Sequence, residues 1–407
     1  MIRTHVEPCR LAKKIADELN RASGRIYTQV LVFHWRTFRH TGHWLSPHAG
    51  ERWNDRVQGD TPLYAHAVDA AQQGFYKACA TTRAVQKVGL DAKFPYHRKR
   101  FRTTIWKQSG IRVKEGQIWL SRARGIEPLL LPLPEPLVGV LRLLEVRLVY
   151  DRKAGRYFWH IVYETGKQPK EPPGENTVAV DLGEVHPAVV GDAEEATIIL
   201  CRERRHVVQG FQKRLAQLQQ AMARKRRGSR AWHRLRRAKV RLRAKHQRVL
   251  RDLDHKISRA IVEVAVERKA QVIVLWDVRD VAEGVALSKH TNQKIANLSH
   301  GQVRQYVEYK ASAEGMKVVL VEEVYSSQTC PNCGQRHKPR GRRYRCPSCG
   351  FLSHRDVVGQ VNILSLYCHG EPGKIPVPPR IKHRIPQDLR VMRRRQGTGH
   401  SVKECSW

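Results

Sequence analysis

The sequence predicts a multidomain chain of mixed class, an α/β domain combined with α+β parts. Three observations carry this. Buried strands and a long helical hairpin alternate between residues 177 and 321. Short alternating strands with turn residues fill residues 110–163. Four cysteines, Cys330, Cys333, Cys346 and Cys349, recur as C-x2-C-x12-C-x2-C. Two such thiolate knuckles close a tetrahedral structural Zn²⁺ site, and the glycine after each suits the tight turn around a bound sulfur.

Composition narrows the partners. The chain has 407 residues, with 75 Lys+Arg against 37 Asp+Glu, a formal net charge of +38. That imbalance is costly in a compact protein without a polyanion, and nucleic acid is the expected one. No apolar run approaches the ~20 residues of a membrane span. The first residues lack an apolar signal core, so no export is expected. Four of nine cysteines fall in the zinc pattern and five are scattered, which fits a reducing compartment rather than a disulfide scaffold.

Residues 11–35 carry Leu11, Ile15, Leu19, Ala22, Ile26, Val30 and Phe33 at three- and four-residue steps, the mark of an amphipathic helix. Residues 36–59 read as a loop or broken helix, and Leu63 to Val85 as helix again. Trp35, Trp44 and Trp53 can stack on bases or pack internally. Phe94 to Trp106 interleaves aromatics with basic residues, suiting an extended segment that contacts phosphates and bases. Gln117–Leu120 and Leu141–Tyr150 alternate, and Tyr157–Tyr163 follows a Lys153-Ala154-Gly155 turn as the second arm of a hairpin. Gly166 to Asn176 is a linker by its Pro and Gly content.

A buried strand then ends at Asp181, and Gly183 permits a sharp turn into the next strand. Glu203 to Lys269 is helical and extremely basic, broken at Gly228-Ser229 into two arms. Leu250, Leu253, Ile257, Ile261 and Val264 give the second arm a face that can dock on a sheet. Ala270 to Val278 and Lys317 to Val321 are further buried strands, with Gln302 to Ala313 a helix between them. After the cysteine stretch, His354-Arg355-Asp356 opens a helix to Leu366. Residues 368–407 repeat Pro and Arg without periodicity and read as a disordered basic tail.

Asp181 and Asp356 are the candidate metal acids. Two Mg²⁺ ions, held about 3.5–4 Å apart by shared carboxylates, stabilise both the attacking and the leaving oxygens of phosphodiester cleavage. Arg355 can contact a scissile phosphate or pair with an acid. His354 reads as a packing or capping residue. Gln302, Arg304 and Gln305 lie on a helix that can face nucleic acid.

The order V-A-V-D-L-G, basic hairpin, buried strand, Y-S-S-Q-T-C-x2-C-x12-C-x2-C-G and H-R-D-V-x3-V-N-I-L resembles the TnpB proteins of insertion sequences and the compact type V CRISPR effectors related to them. The likeness is close over residues 176–364. FPYHRKRF extends it in outline into the first half. The resemblance implies a RuvC-like domain of RNase H fold over residues 176–325, with a zinc ribbon at 326–353 and a final RuvC segment at 354–367. It further implies a helical recognition domain at 11–93 and a wedge-like β-barrel domain from 1–10 and 94–175. The implied activity is RNA-guided, Mg²⁺-dependent DNA cleavage, with guide RNA and target DNA as partners, in the cytoplasm of a prokaryote at the nucleoid. Asp181 and Asp356 match the family's first and last catalytic aspartates.

Between them the sequence departs from the family, whose middle strand is usually followed by a glutamate. Here Trp276 stands in that position. Asp277 is adjacent, but a one-residue offset turns a strand side chain to the opposite face. Glu323, with Glu322 as second choice, is the expected replacement from the end of the neighbouring strand, completing a Mg²⁺ set of Asp181, Glu323 and Asp356. As solvated strand-end charges, the two glutamates would leave two acids and an RNA-guided DNA binder without cleavage.

Overall fold

The computed structural model describes residues 1–407 except 58, 153, 277–299, 323–324, 340, 388 and 390–407. The chain divides into two compact units, Met1–Lys167 and Gln168–Trp407. Among the described residues no helix is long and apolar enough to cross a membrane.

The first unit begins with β1 (Ile2–Pro8) and three helices, α1 (Lys13–Thr41), α2 (Pro47–Val57) and α3 (Ala65–Lys87). Then come β2 (Thr104–Lys107), β3 (Ile111–Lys114), β4 (Gln117–Leu120), β5 (Leu129–Pro132), β6 (Arg142–Asp151) and β7 (Arg156–Glu164). One antiparallel sheet has the order β1-β7-β6-β2 and a second the order β3-β4-β5. The expected hairpin is β6–β7, and Gly155 turns at φ 67° while its N–H donates to the Asp151 carbonyl at 2.8 Å. Helix α1 runs past the expected boundary to Thr41, where Gly42 takes the left-handed conformation and donates to Phe38 O. The helices and the strands share one core: Leu19 and Ile26 of α1 cluster with Trp106, Ile118, Leu148 and Trp159. Asn20 pins them together, accepting from Thr104 N at 3.0 Å and donating to Leu148 O at 3.2 Å.

Of the aromatics, Trp35 and Trp44 pack beside the buried Phe75, and Trp53 stacks flat on Phe33 at 4.1 Å. Internal packing is therefore their role in the fold. Within Phe94 to Trp106, Trp106 is buried and Phe94 packs against Trp44, so part of that segment serves the core.

The second unit carries a six-stranded sheet. Its elements are β8 (Asn176–Asp181), β9 (Ala188–Gly191), β10 (Glu195–Ile199), α4 (Arg202–Ala223), α5 (Arg230–Glu267), β11 (Ala270–Trp276), α6 (His300–Ala313), β12 (Lys317–Val321), β13 (Arg343–Arg345), β14 (Leu352–His354), α7 (Arg355–His369) and β15 (Arg380–Arg384). The sheet order is β12-β11-β8-β9-β10-β15. Strands β12, β11 and β8 are parallel, β8, β9 and β10 antiparallel. Helix α5 docks on one face as its apolar stripe predicts, placing Leu253, Ile257, Ile261 and Val264 against Val178, Val180, Ile273 and Leu275. Helix α7 covers the other face, with Val361, Ile363 and Leu364 against Ala179 and Val274. The hairpin break falls at Gly228-Ser229, where φ is +87° at Gly228 and Ser229 Oγ caps α5 by accepting from Trp232 N.

The basic tail is corrected in part. Residues 380–384 are not disordered: they form β15, parallel to β10 with Glu195 opposite Arg380. The strand is held by edge pairing and charge, with Lys382 at 2.8 Å from the Glu195 carboxylate and Arg384 bridging Glu263 and Glu267.

Candidate nuclease and zinc centres

Asp181 is the last residue of β8. Alternation puts Ala179 and Asp181 on the α7 face, with Val178 and Val180 on the α5 face. Gly359 of α7 confirms the placement, since a Cβ there would lie 2.7 Å from Asp181 Oδ2. Asp356 sits three residues before Gly359, and positions i and i+3 share one side of a helix. The two aspartates expected from sequence are thus brought to one place, at the carboxyl end of β8 and the first turn of α7. Asp356 also gains from the helix N-terminus there.

Two residues that sequence reasoning did not single out complete the surroundings. His186, in the β8–β9 turn, is bonded to Asp356 Oδ2 at 2.8 Å through Nδ1. A carboxylate only accepts, so Nδ1 carries the proton. Arg342 approaches Nε2 of the same ring at 3.4 Å and only donates, so Nε2 accepts and the imidazole is neutral. On the other side, Asp356 N–H donates to Nδ1 of His354, which caps α7 as expected. Burial pushes the Asp356 carboxyl up, but the His186 hydrogen bond and the nearby Arg342 charge outweigh it, leaving the group below its ordinary range. Gly183 is the expected turn glycine, where a Cβ would lie 2.7 Å from His186 O. A lone histidine in a turn gives no sequence signal of a partner 170 positions away. The i+3 relation of Gly359 to Asp356 was a usable one.

Trp276 stands at the third position. Val272, Val274 and Trp276 face α7, so the indole points to the same side as Asp181. Leu275 pairs with Val180 and Trp276 with Val321, which sets the indole between Asp181 and Val321 at the strand ends. An indole offers no metal ligand, its only polar group being a donor. Glu322 is exposed just after β12. Glu323 and Asp277 lie outside the described residues. Arg355 bonds the Gly341 carbonyl at 3.4 Å, while Gln302 bonds Gln305 and Arg304 pairs with Glu308 on α6.

The four cysteines converge. Their sulfurs all lie within 4.8 Å of one another, with Cys330–Cys349 at 3.7 Å and Cys333–Cys346 at 3.5 Å. A tetrahedron with Zn–S bonds of ~2.3 Å has sulfur–sulfur edges of ~3.8 Å, so the donor set fits zinc. Gly334 and Gly350 close the two knuckles at φ 71°, donating to Cys330 O and Cys346 O. The Asn332 amide donates to Cys349 Sγ at 3.5 Å and brings that thiol down to about 6, favouring the thiolate a metal needs.

The ribbon is tied to the helix bearing Asp356. Val358 of α7 packs with Cys330, Tyr344 and Cys346. Asn362, buried in α7, donates to Ser326 O at 2.6 Å and Thr329 O at 2.8 Å and accepts from Gly373 N at 2.9 Å. Asn362→Ala is expected to strand these groups, lower stability by about 2–3 kcal/mol and make the zinc easier to extract. Thermal melting and release of zinc to a chromogenic chelator measure both.

The chain is similar in sequence and in fold to several known proteins. The family described as a probable transposase, OrfB_IS605, matches residues 160–278, and the Cas12f1-like TNB domain matches residues 300–363. TnpB-like protein MJ0751 of Methanocaldococcus jannaschii is 28% identical over 121 residues, covering 29% of this chain and 43% of that one. The putative RNA-guided DNA endonuclease InsQ of Escherichia coli K12 is 27% identical over 225 residues, covering 51% and 53%. A putative RNA-guided DNA endonuclease of Streptomyces pristinaespiralis is 28% identical over 282 residues, covering 67% and 65%. The matches thus span less than two thirds of each of these relatives. Among solved structures, Cas12f1 in a complex with sgRNA and target DNA superposes with a TM-score of 0.61 at 14% identity, covering 86% of this chain and 83% of that one. The mini-RNA-guided endonuclease Cas_phi3 gives 0.54 at 10% identity, covering 92% and 94%. These likenesses assign the fold of the second unit, a RuvC-like domain with an inserted cysteine ribbon.

Proposed function

We propose that this chain, a member of the TnpB-type compact effectors, is an RNA-guided DNA endonuclease that cuts at a site built on Asp181 and Asp356, with Glu323 as the third acid. The observation that carries the reading is the Asp181 carboxylate resting on Gly359, one turn from Asp356, where the sheet ends under α7. The names of the aligned relatives support the activity, since two of them are putative RNA-guided DNA endonucleases.

In this reading Asp181, Asp356 and Glu323 hold Mg²⁺, which supplies charge neutralisation at the scissile phosphate and an activated water. Glu323 is taken from the sequence as the third acid, two positions after Val321, which pairs with Trp276 in the sheet. The chain's own work is to position the strand. The basic arms of α4 and α5 and the exposed lysine and arginines of 98–100 grip phosphates, while pairing with a guide RNA reads the target. The four cysteines hold zinc as a structural ion. Helices of 11–93 serve recognition, strands of 1–10 and 94–175 act as the wedge that grips the guide, and the protein works at the nucleoid.

Trp276 favours a second reading, a guided DNA-binding protein that does not cut, because the indole fills the place of a metal acid. Sequencing the RNA that copurifies with the protein, then presenting a matched duplex with Mg²⁺, separates the two. The first reading expects a defined RNA with a variable end and cutting of the matched DNA, with Glu323→Ala slowing cutting at least a hundredfold. Cutting at the unaltered rate in Glu323→Ala removes Glu323 from the site. Tight guided binding with no cutting in Mg²⁺ or Mn²⁺ selects the binder, and no bound RNA removes both.

A further inference from the structure

The donors around Asp356 are not those of a magnesium site alone. His186, His354 and Asp356 each offer one ligand atom, and all three atoms lie within 4.8 Å of one another. They come from two pieces of chain: the β8–β9 turn and the junction where β14 runs into the first turn of α7. The side chains of His186 and Asp356 are only 16% and 28% exposed, so the cluster is set into the surface rather than lying on it. The two imidazole rings are 5.2 Å apart at their centroids. The His186–Asp356 separation of 2.8 Å is a hydrogen-bond length, shorter than the ~3.3 Å edge of a tetrahedral shell with bonds of ~2.0–2.1 Å, so the pair must part by about half an ångström to share an ion.

We propose that His186, His354 and Asp356 form a binding site for a divalent transition ion, of the Mn²⁺ or Zn²⁺ class, so that one ion position of this centre discriminates against Mg²⁺. The proposal rests on the reading of Asp356 as an ion ligand of the nuclease centre. Magnesium takes oxygen donors and holds its waters, whereas imidazole nitrogen suits zinc and its neighbours, and manganese, though it favours oxygen, accepts imidazole more readily than magnesium does. A set of two nitrogens and one carboxylate therefore selects by donor type. It also answers the deficit on the opposite flank, where Trp276 removes an oxygen donor.

The proton balance is simple. His186 now carries its proton on Nδ1 and gives it to Asp356 in a hydrogen bond. Ligation through Nδ1 moves that proton to Nε2 and replaces the hydrogen bond by two bonds to a shared ion, with no net proton released. Arg342 opposes the step, because its guanidinium sits 3.4 Å from Nε2 and must withdraw when that atom becomes a donor. Its positive charge also repels a cation.

The test is Mn²⁺ binding to the full-length, zinc-loaded protein, followed by loss of the free-ion electron paramagnetic resonance signal. His186→Asn keeps a donor to Asp356 but removes the imidazole, and His354→Ser keeps an acceptor for the helix cap. Melting temperatures check that both variants fold. Each is expected to weaken Mn²⁺ binding at least tenfold, with Arg342→Ala tightening it several-fold and equimolar Mg²⁺ failing to displace the ion. Mn²⁺ binding as in the parent protein in both histidine variants overturns the proposal. If Asp356→Asn alone then weakens binding, the carboxylate reading stands while the histidine site falls. If Asp356→Asn is also silent, both fall. The readout is ion binding alone, so a loss of guided cleavage has no bearing on it.

Discussion

Asp356→Asn is expected to slow guided DNA cleavage at least a thousandfold while guided binding persists. The amide has the shape of the carboxylate and can still accept the His186 Nδ1–H, so the surroundings of α7 are kept. In the proposed mechanism the charge that two ions would share is lost, and a thousandfold rate loss corresponds to ~4 kcal/mol of transition-state stabilisation. Asp181→Asn is expected to do the same, and the double variant little more, because the two acids act as one unit. Single-turnover cleavage and gel-shift titration with the same guide complex give the two readouts. Cleavage within tenfold of the parent would place the chemistry elsewhere.

The charge at Asp356 also has a stability consequence. Its carboxyl is held below the ordinary range, the sum of burial raising it and the His186 hydrogen bond and Arg342 charge lowering it more. A depressed carboxyl contributes stability that is present above its unfolded value and lost as pH falls through the folded one. Asp356→Asn should therefore melt slightly lower at neutral pH and converge with the parent in acid. This separates a modest loss of folding stability from the large loss of cleavage.

Sequence was legible where a repeating physical pattern is imposed on it. The α5 stripe and the buried strands β8, β11 and β12 follow from periodicity, and the cysteine cluster follows from ligand spacing. The two aspartates were legible because strand ends and helix starts are where an α/β sheet exposes side chains. Strand β15 was not legible, because it has no apolar face: Arg380 to Arg384 are mostly exposed, and pairing with β10 makes the strand. The extension of α1 to Thr41 was hidden by a His- and Trp-rich stretch whose stop, Gly42, acts through backbone conformation. His186 and Asn362 act through partners far along the chain, and one sequence carries no record of such pairings. Trp276 is the reverse case, since its departure was visible in sequence but only the sheet register sets it beside Asp181.

Removing zinc is expected to disable cleavage without touching either aspartate. Structural zinc sites contribute ~10–16 kcal/mol of apparent binding energy, which in a small ribbon is folding energy. The ribbon here has little else: Tyr344 is its buried aromatic, and two of its cysteines, Cys330 and Cys346, are themselves part of that core. Without the ion, four sulfurs within 4.8 Å would have to be kept together as thiols by weak hydrogen bonds such as that of the Asn332 amide to Cys349. The ribbon then opens, uncovering Val358 and releasing the Asn362 bonds to Ser326 and Thr329. Val358 lies two residues from Asp356, so the first turn of α7 loses the packing that aims its carboxylate at the place Asp181 occupies. Cys346→Ser, or chelation of the parent protein, should lower hydrogen-exchange protection at least tenfold in both 326–353 and 355–369, and guided cleavage should fall with it. A zinc-free protein in which 326–353 exchanges freely but 355–369 stays protected, and DNA is still cut, would show that the ribbon is a passenger on α7 rather than its support.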